Sequence, residues 1–159
     1  MKGTIKFKAL IIALALPLAL GGLAAFLTAD SMALFKLMAK PPLSPPGWLF
    51  APVWTVLYIL MGVASYLVWM AQVSPIRRDR ALTLYLMQLA ANFAWPLIFF
   101  GMELYLLALL WLVLLWILAA LCTLLFWYIT ENAGKLMLPY MLWLSFAAYL
   151  NLGIWLLNR

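Results

Sequence analysis

The stretch LYLLALLWLVLLWILAALCTLLFWYI, from Leu104 to Ile129, decides the fold because it is long, apolar and free of charged side chains. A helix needs about 20 such residues to cross the hydrocarbon core of a bilayer. The backbone finds no water there, so a helix, which satisfies its own hydrogen bonds, is the conformation open to this stretch. We therefore predict a membrane-spanning α-helix over residues 104–129.

Four further stretches on either side have the same character, and each is bounded by polar residues or prolines. The predicted spans cover residues 5–27, 48–71, 81–100 and 136–157. Of the 159 residues, 70% are hydrophobic and 9% are charged, whereas a soluble domain has roughly 25% charged residues. The composition excludes a soluble fold. It predicts a single all-α integral membrane domain over residues 1–159, a bundle of five transmembrane helices.

The chemically active residue types exclude several functions. Histidine is missing from the sequence, and with it the commonest metal ligand and general base. A single cysteine, Cys122, cannot form a disulfide within the chain. The formal charge of +6 comes from basic residues at the ends of apolar segments, which indicates membrane topology rather than nucleic-acid binding. We expect no metal, no nucleic acid and no obligatory cofactor.

The distribution of Lys and Arg predicts the orientation. Seven lie at the amino terminus, in the predicted loop 77–80 and in the predicted turn 131–135, against three at the opposite membrane face. The positive-inside rule then places the amino terminus in the cytoplasm of a bacterial cell, with the protein in the cell membrane. The first stretch also has the pattern of a signal peptide, and its removal would leave four spans.

The longest connection, residues 28–47, joins the first two spans. Asp30 and Ser31 predict the N-cap of a short helix that continues through Ala39. The sequence then becomes KPPLSPPG over residues 40–47, where four prolines impose a stiff, extended path. Two interpretations remain open, a rigid connector or a lid over a cavity between the helices.

Polar and aromatic side chains form three stripes at helical spacing inside the spans. The stripes are Trp54, Tyr58, Met61 and Ser65; Gln88, Asn92 and Trp95; and Trp143, Ala147, Leu150 and Asn151. In one interpretation the amides only hydrogen-bond neighbouring helices. In the other, the stripes line an aromatic, weakly polar cavity suited to a flat apolar ligand.

Five ordered blocks of sequence extend over almost the whole chain. They are Lys40-Pro41 with Pro45-Pro46-Gly47-Trp48; Phe50 with Pro52-Val53-Trp54-Thr55-Val56-Leu57-Tyr58; Gln88-Leu89-x-x-Asn92-Phe93-x-Trp95; Pro139-Tyr140-x-x-Trp143; and Ala147-x-x-Leu150-Asn151. In these blocks and their spacing the chain resembles the translocator protein family, also known as tryptophan-rich sensory proteins or peripheral-type benzodiazepine receptors.

The resemblance implies a five-helix bundle, usually a homodimer, that binds protoporphyrin IX, haem and benzodiazepine-type or isoquinoline compounds between its helices. The expected ligand-binding residues are Trp54, Tyr58, Asn92, Trp95, Trp143, Ala147 and Leu150. The expected residues of the first loop and the mouth of the site are Phe35, Lys36, Lys40, Pro45 and Pro46. Either lysine could pair with a porphyrin propionate, or could simply anchor the chain at the interface.

Two departures from the family pattern affect the ligand. Leu43 stands where many members have tryptophan, and Phe35 stands where they usually have tyrosine, so the first loop loses hydrogen-bonding groups. Sterol binding is not expected, because no basic residue follows Tyr149 within five positions.

Three functions are compatible with this sequence, and we favour the first. It is a membrane receptor or sensor for tetrapyrroles and drug-like ligands. The second is a porphyrin transporter. The third is light-dependent breakdown of porphyrin, with Trp54 and Trp143 as electron donors. Enzymatic catalysis in the dark is not expected, because the spans lack a carboxylate pair and a nucleophile beside a base.

Overall fold

The computed structural model describes residues 6–159, apart from the side chains of residues 32–34. The predicted fold class is confirmed, because in this described part of the chain five helices are long and apolar enough to cross a membrane. They are Phe7–Leu27, Gly47–Met70, Pro75–Gly101, Tyr105–Ile129 and Glu131–Leu157. The predicted start of the first span at Ile5 lies outside the described residues.

Within residues 6–159 the chain forms six α-helices. They are α1 (Phe7–Leu27), α2 (Ser31–Leu37), α3 (Phe50–Met70), α4 (Pro75–Pro96), α5 (Tyr105–Ile129) and α6 (Glu131–Leu157). A single 3₁₀ turn, Gly47–Leu49, leads into α3, and a π-helical segment, Leu97–Gly101, extends α4. The short helix α2 lies in the first loop, as the sequence predicts.

The packing between helices is most extensive for α5 with α6, α1 with α3, α4 with α5, and α3 with α6. The bundle therefore brings together helices that are consecutive in the chain and helices that are not. Because successive spans run in opposite directions, the connections between them lie alternately at the two ends of the bundle. We name one the loop end, which carries the long first loop, residues 102–104 and the carboxyl terminus. The other is the basic end, where Lys6, Lys8, Arg77, Arg78, Arg80 and Lys135 lie.

Two predicted helix starts at the basic end are wrong. The third span begins at Pro75 rather than Ala81, so residues 77–80 are helical and not a loop. Proline suits the first position of a helix, and long arginine side chains can reach out to the headgroups. The fifth span begins at Glu131 rather than Leu136, so the predicted turn 131–135 belongs to α6. There, Glu131 and Lys135 form an ion pair one helical turn apart, at 2.6 Å.

The prediction for the short helix of the first loop is wrong in its details. It ends at Leu37 rather than Ala39. Asp30 has helical backbone angles, and its side chain makes no capping hydrogen bond. The backbone N–H of Ser31 donates instead to Thr28 O at 3.2 Å. The backbone therefore turns directly from the end of α1 into α2, which leaves no cap for Asp30 to make.

Candidate ligand site between the helices

A chain of side-chain hydrogen bonds crosses the middle of the bundle. The Tyr58 hydroxyl donates to Asn92 Oδ1 at 2.9 Å, and Asn92 Nδ2 donates to the Tyr140 oxygen at 3.1 Å. The Tyr140 hydroxyl then donates to Gln88 Oε1 at 2.9 Å. Asn92, Tyr140 and Gln88 are buried. These hydrogen bonds join α3, α4 and α6 at a depth where polar groups are costly unless they are paired.

Aromatic rings cover this chain on its loop-end side. Trp54 stacks on Tyr58, with ring centroids 5.4 Å apart, and meets Tyr140 edge-on at 6.3 Å. Trp143 meets Trp54 edge-on at 6.4 Å and also packs against Phe50 at 6.0 Å. The two tryptophans are half-buried. Their faces and the amide of Asn92 thus belong to one continuous cluster.

Helix α1 approaches this cluster through a glycine. A Cβ atom on Gly21 would collide with the ring of Tyr58. Only a residue without a side chain leaves room for Tyr58 to lie between α1 and α3 with its hydroxyl aimed at Asn92. Gly21 therefore positions a polar group of the site, although it carries none itself.

A second polar link holds Trp95 in place. Its Nε1 donates to Asn151 Oδ1 at 3.2 Å, and Asn151 Nδ2 donates to the backbone oxygen of Tyr105 at 2.8 Å. Ala147 and Leu150, on α6 beside Asn151, are buried. Trp95 thereby connects α4, α5 and α6, and its ring faces the aromatic residues that follow it along the chain.

The π-helical segment builds an aromatic cage for the first loop. Trp95 stacks on Phe99 at 5.1 Å, and Phe99 meets Phe100 at 4.7 Å. Phe35 of α2 inserts between Phe100, at 5.5 Å, and Phe50, at 6.2 Å, and is only 7% exposed. One extra residue in a helical turn is often found at functional sites. Here it places two phenylalanines under α2.

The predicted mouth residues have distinct surroundings. Lys40 Nζ donates to the backbone oxygens of Lys36 and Met38, at 3.1 and 3.2 Å, and lies 5.0 Å above the Phe35 ring. Lys36 is exposed, as is Pro46, while Pro45 is half-buried. Lys40 therefore caps the end of α2, and of the two lysines Lys36 is the more accessible to a ligand.

The free space beside the cage is small. A cavity of about 10 Å³ lies among Ser31, Phe35, Met38, Phe99, Phe100, Glu103 and Tyr105. That is about the room one water molecule needs. The tryptophan cluster is held by its own ring contacts, so a macrocycle that stacks on Trp54 and Trp143 would first have to separate them.

The arrangement suits binding by stacking and hydrogen bonding. Indole faces and a buried amide can recognise a flat ligand with a few polar edges. Within residues 6–159, no three His, Cys, Asp or Glu side chains lie together in a way that could hold a metal ion. Recognition would therefore come from aromatic faces, amides and hydroxyls.

The structure brings the three predicted stripes together. Trp54, Tyr58, Asn92 and Trp143 belong to one cluster, while Trp95 joins it through the cage and contacts Asn151. Tyr140 is not among the predicted site residues, yet it bonds to both Asn92 and Gln88. Its position three residues before Trp143, on the same face of α6, was the available signal.

Comparison with known proteins gives a consistent result. The chain matches the TspO/MBR family over residues 13–156. It is similar to the tryptophan-rich protein TspO of Chlorobaculum tepidum, with 40% identity over 124 residues, which is 78% of each chain. The tryptophan-rich protein TspO of Archaeoglobus fulgidus is 37% identical over 142 residues, covering 89% of this chain and 91% of the relative. The translocator protein of Homo sapiens is 37% identical over 131 residues, covering 82% and 78%. The similarity extends from α1 to α6 and includes every span.

Proposed function

The chain belongs to the TspO/MBR family, and we propose that it is a membrane receptor or sensor that binds tetrapyrroles such as protoporphyrin IX or haem between its helices. Family membership supports a sensor or receptor role in the membrane. The tetrapyrrole is our inference from the site. The observation that carries it is one cluster of contacts. Trp54 packs against Trp143 and stacks on Tyr58, and the Tyr58 hydroxyl donates to Asn92.

A tetrapyrrole fits the chemistry of this cluster. Its macrocycle is flat and apolar, which suits stacking on the faces of Trp54 and Trp143. Asn92 uses its oxygen for Tyr58 and one N–H for Tyr140, which leaves its second N–H for a polar edge of the ligand. The ring contacts must open for the macrocycle to enter, so binding would be coupled to movement at the loop end.

The carboxylates of a tetrapyrrole require a cationic or polar partner. We assign this role first to Lys36, which is exposed on α2, and only second to Lys40, whose amine already bonds to two backbone oxygens. A charged hydrogen bond at the mouth would leave the propionates near water while the macrocycle is buried. Benzodiazepine-type and isoquinoline ligands, which are also flat and aromatic, would use the same cluster without the lysines.

The adjacency of Trp54 and Trp143 favours light-dependent porphyrin breakdown as a second candidate activity. An indole within contact of an excited macrocycle can donate an electron to it, and oxygen would then be consumed in the breakdown. Illumination of the complex in air should bleach the porphyrin spectrum faster than illumination of free porphyrin in the same detergent. Bleaching of the complex no faster than that of free porphyrin would contradict this activity. So would a Trp54→Phe, Trp143→Phe double variant that bleaches porphyrin as fast as the unaltered protein.

Two further features complete the proposal. We propose that the protein works as a homodimer in a bacterial cell membrane, with its basic end in the cytoplasm. The basic side chains at that end support this orientation by the positive-inside rule. Cross-linking in native membranes tests the dimer. Reporter fusions at the carboxyl terminus test the orientation, and a cytoplasmic carboxyl terminus would contradict it.

The ligand is tested by titrating the purified protein with protoporphyrin IX while its main absorption band is followed. We expect saturable binding that weakens about tenfold in Asn92→Ala, which loses a buried hydrogen-bonding amide, and less in Trp143→Phe, which keeps an aromatic ring. Trp116→Phe is the matched control, because Trp116 lies on α5 and bonds to Ser145 instead. Absence of saturation, or equal affinity in all variants, would contradict the proposal.

A further inference from the structure

The first loop lies against the carboxyl-terminal end of α6, more than 100 residues away in sequence. Three contacts join them, between Ala39 and Asn158, Pro41 and Gly153, and Pro42 and Tyr149. We name these three contacts the latch. As the loop advances, its partners recede along α6, so the loop runs antiparallel to the helix and covers its end.

Asn158 makes the most specific of these contacts. Its Oδ1 accepts the N–H of Ala39 at 3.1 Å, and its Nδ2 donates to the oxygen of the same residue at 2.9 Å. The Nδ2 group also donates to Ile154 O at 2.8 Å. One carboxamide therefore pairs with both polar groups of Ala39 and closes the last turn of α6.

The other two contacts hold the prolines that follow. A Cβ atom on Gly153 would lie 2.5 Å from the Pro41 ring, so the absence of a side chain is what allows the loop to approach. The Tyr149 hydroxyl donates to Pro42 O at 2.7 Å. Prolines have no N–H to donate, so Pro42 can be held through its carbonyl group only.

The loop is strained next to the latch. Leu43 has a φ of 65°, in the left-handed region that side-chain-bearing residues rarely occupy, and its side chain is 84% exposed. Such a conformation persists when its surroundings enforce it. Here the Ser44 hydroxyl holds the turn from within the loop by donating to Pro41 O at 2.7 Å, and Tyr149 holds it from α6, so release of the latch would remove the restraint from α6.

The latch is continuous with the candidate ligand site. Tyr149 stacks on Phe146 at 6.1 Å, and Phe146 lies 5.6 Å from Trp143. At the other end of the loop, Phe35 is held in the cage of Phe50 and Phe100. Displacement of the loop would therefore disturb the rings that surround the site.

We propose that Asn158 and Tyr149 are positioning residues that hold the first loop closed over the site, and that their release admits and frees the ligand. The identity of that ligand rests on the proposed function, whereas the latch rests on the contacts described here. Both side chains are exposed, so their hydrogen bonds compete with water and each is weak. Weak bonds suit a gate, because local opening can then occur without unfolding the bundle.

The latch itself is tested without ligand by amide hydrogen exchange of the peptide segment that contains Ala39. Loss of a hydrogen bond should raise the exchange rate about three- to tenfold in Asn158→Ala, and less in Tyr149→Phe. Asn158→Asp, which keeps an acceptor for the Ala39 N–H, should give an intermediate rate. Tyr128→Phe is the control, since Tyr128 is exposed at the opposite, basic end. Equal exchange in Asn158→Ala and the control would overturn the proposal.

The role in ligand exchange is tested by protoporphyrin IX binding kinetics. The proposed gate closes the site both before and after the ligand enters, so its release should speed association and dissociation together, by about the same factor, and leave the affinity nearly unchanged. A residue that merely contacts ligand would change dissociation alone. Unchanged rates in Asn158→Ala, or a change in dissociation alone, would overturn the gate. If the unaltered protein binds no porphyrin, the proposed function fails and amide exchange alone decides the latch.

Discussion

The two halves of the bundle are built from different interactions. Toward the basic end, many interior side chains are small or aliphatic and fully buried, such as Ala64, Val68 and Ala119, and they surround the stacked rings of Tyr85 and Phe126. Toward the loop end, the interior consists of aromatic rings and side-chain hydrogen bonds, such as those of Asn92 and Asn151. Both halves cross the same hydrocarbon layer, so the difference does not follow from the environment.

The contrast indicates that the two halves of the bundle have different roles. In a membrane, helices are held together by close packing rather than by exclusion of water, and small residues allow the closest approach. Such packing is dense and has no alternative partners. Hydrogen bonds and ring contacts can be exchanged for contacts with a ligand. We infer that the basic half holds the bundle together, while the loop half can open around a ligand.

The largest effect on stability should come from Phe126→Ala in the basic half. Phe126 is fully buried and stacks on Tyr85, with centroids 5.7 Å apart. The cavity left by the ring should lower the free energy of unfolding by about 3 kcal/mol. Thermal unfolding in detergent measures this, with the lipid-facing Leu124→Ala as control. A similar loss in both variants would break the comparison.

A smaller effect is expected from Asn151→Ala in the loop half. The change leaves the Trp95 N–H and the backbone oxygen of Tyr105 without their partner. Buried groups that lose a partner should cost about 1–2 kcal/mol. The same unfolding measurement applies, and Asn132→Ala, at an exposed position of α6, is the control. A loss as large as that of Phe126→Ala would mean that the loop half is equally structural.

Sequence reasoning succeeds where a local rule is decisive. The five spans follow from apolar length, and the sharing of one helical face by Gln88, Asn92 and Trp95 follows from the 3.6-residue period. Two features that require knowledge of distant neighbours could not be predicted. The π-helical turn that forms the cage around Phe35 has no sequence signature that we could identify. The contact of Asn158 with Ala39 joins residues 119 positions apart.

The wrong boundaries have a common physical cause. Charged and polar residues predict the ends of spans, yet α4 and α6 continue through them at the basic end. Arginine side chains on α4 can extend to the headgroups, and Glu131 is paired with Lys135. A helix can therefore begin outside the hydrocarbon layer, where hydropathy carries no information about its start.

A third test separates the contribution that the central hydrogen bonds make to stability from the contribution of the packing around them. Tyr140→Phe keeps the ring but removes both the acceptor for Asn92 and the donor to Gln88. Two buried bonds should be worth about 1 kcal/mol together, because such bonds between membrane helices average near 0.6 kcal/mol each. Unfolding is compared with that of Tyr128→Phe. A loss above that of Asn151→Ala would show that this chain holds the bundle together.

The smallest effect should come from the exposed ion pair at the start of α6. Glu131→Gln removes the charge that pairs with Lys135, and an exposed pair of this spacing contributes about 0.3–0.5 kcal/mol. The difference from the unaltered protein should shrink further in high salt, which screens exposed charges. A salt-independent loss would mean that the basic half depends on charge as well as on packing.

The separate roles of the two halves are tested most directly by measuring protoporphyrin IX affinity and the free energy of unfolding in the same detergent for Asn92→Ala and Phe126→Ala. The account predicts a crossed result, with about tenfold weaker binding but modest destabilisation in Asn92→Ala, and strong destabilisation with unchanged affinity in Phe126→Ala. If affinity and stability fall in parallel in both variants, the two halves do not have separate roles and the account is wrong.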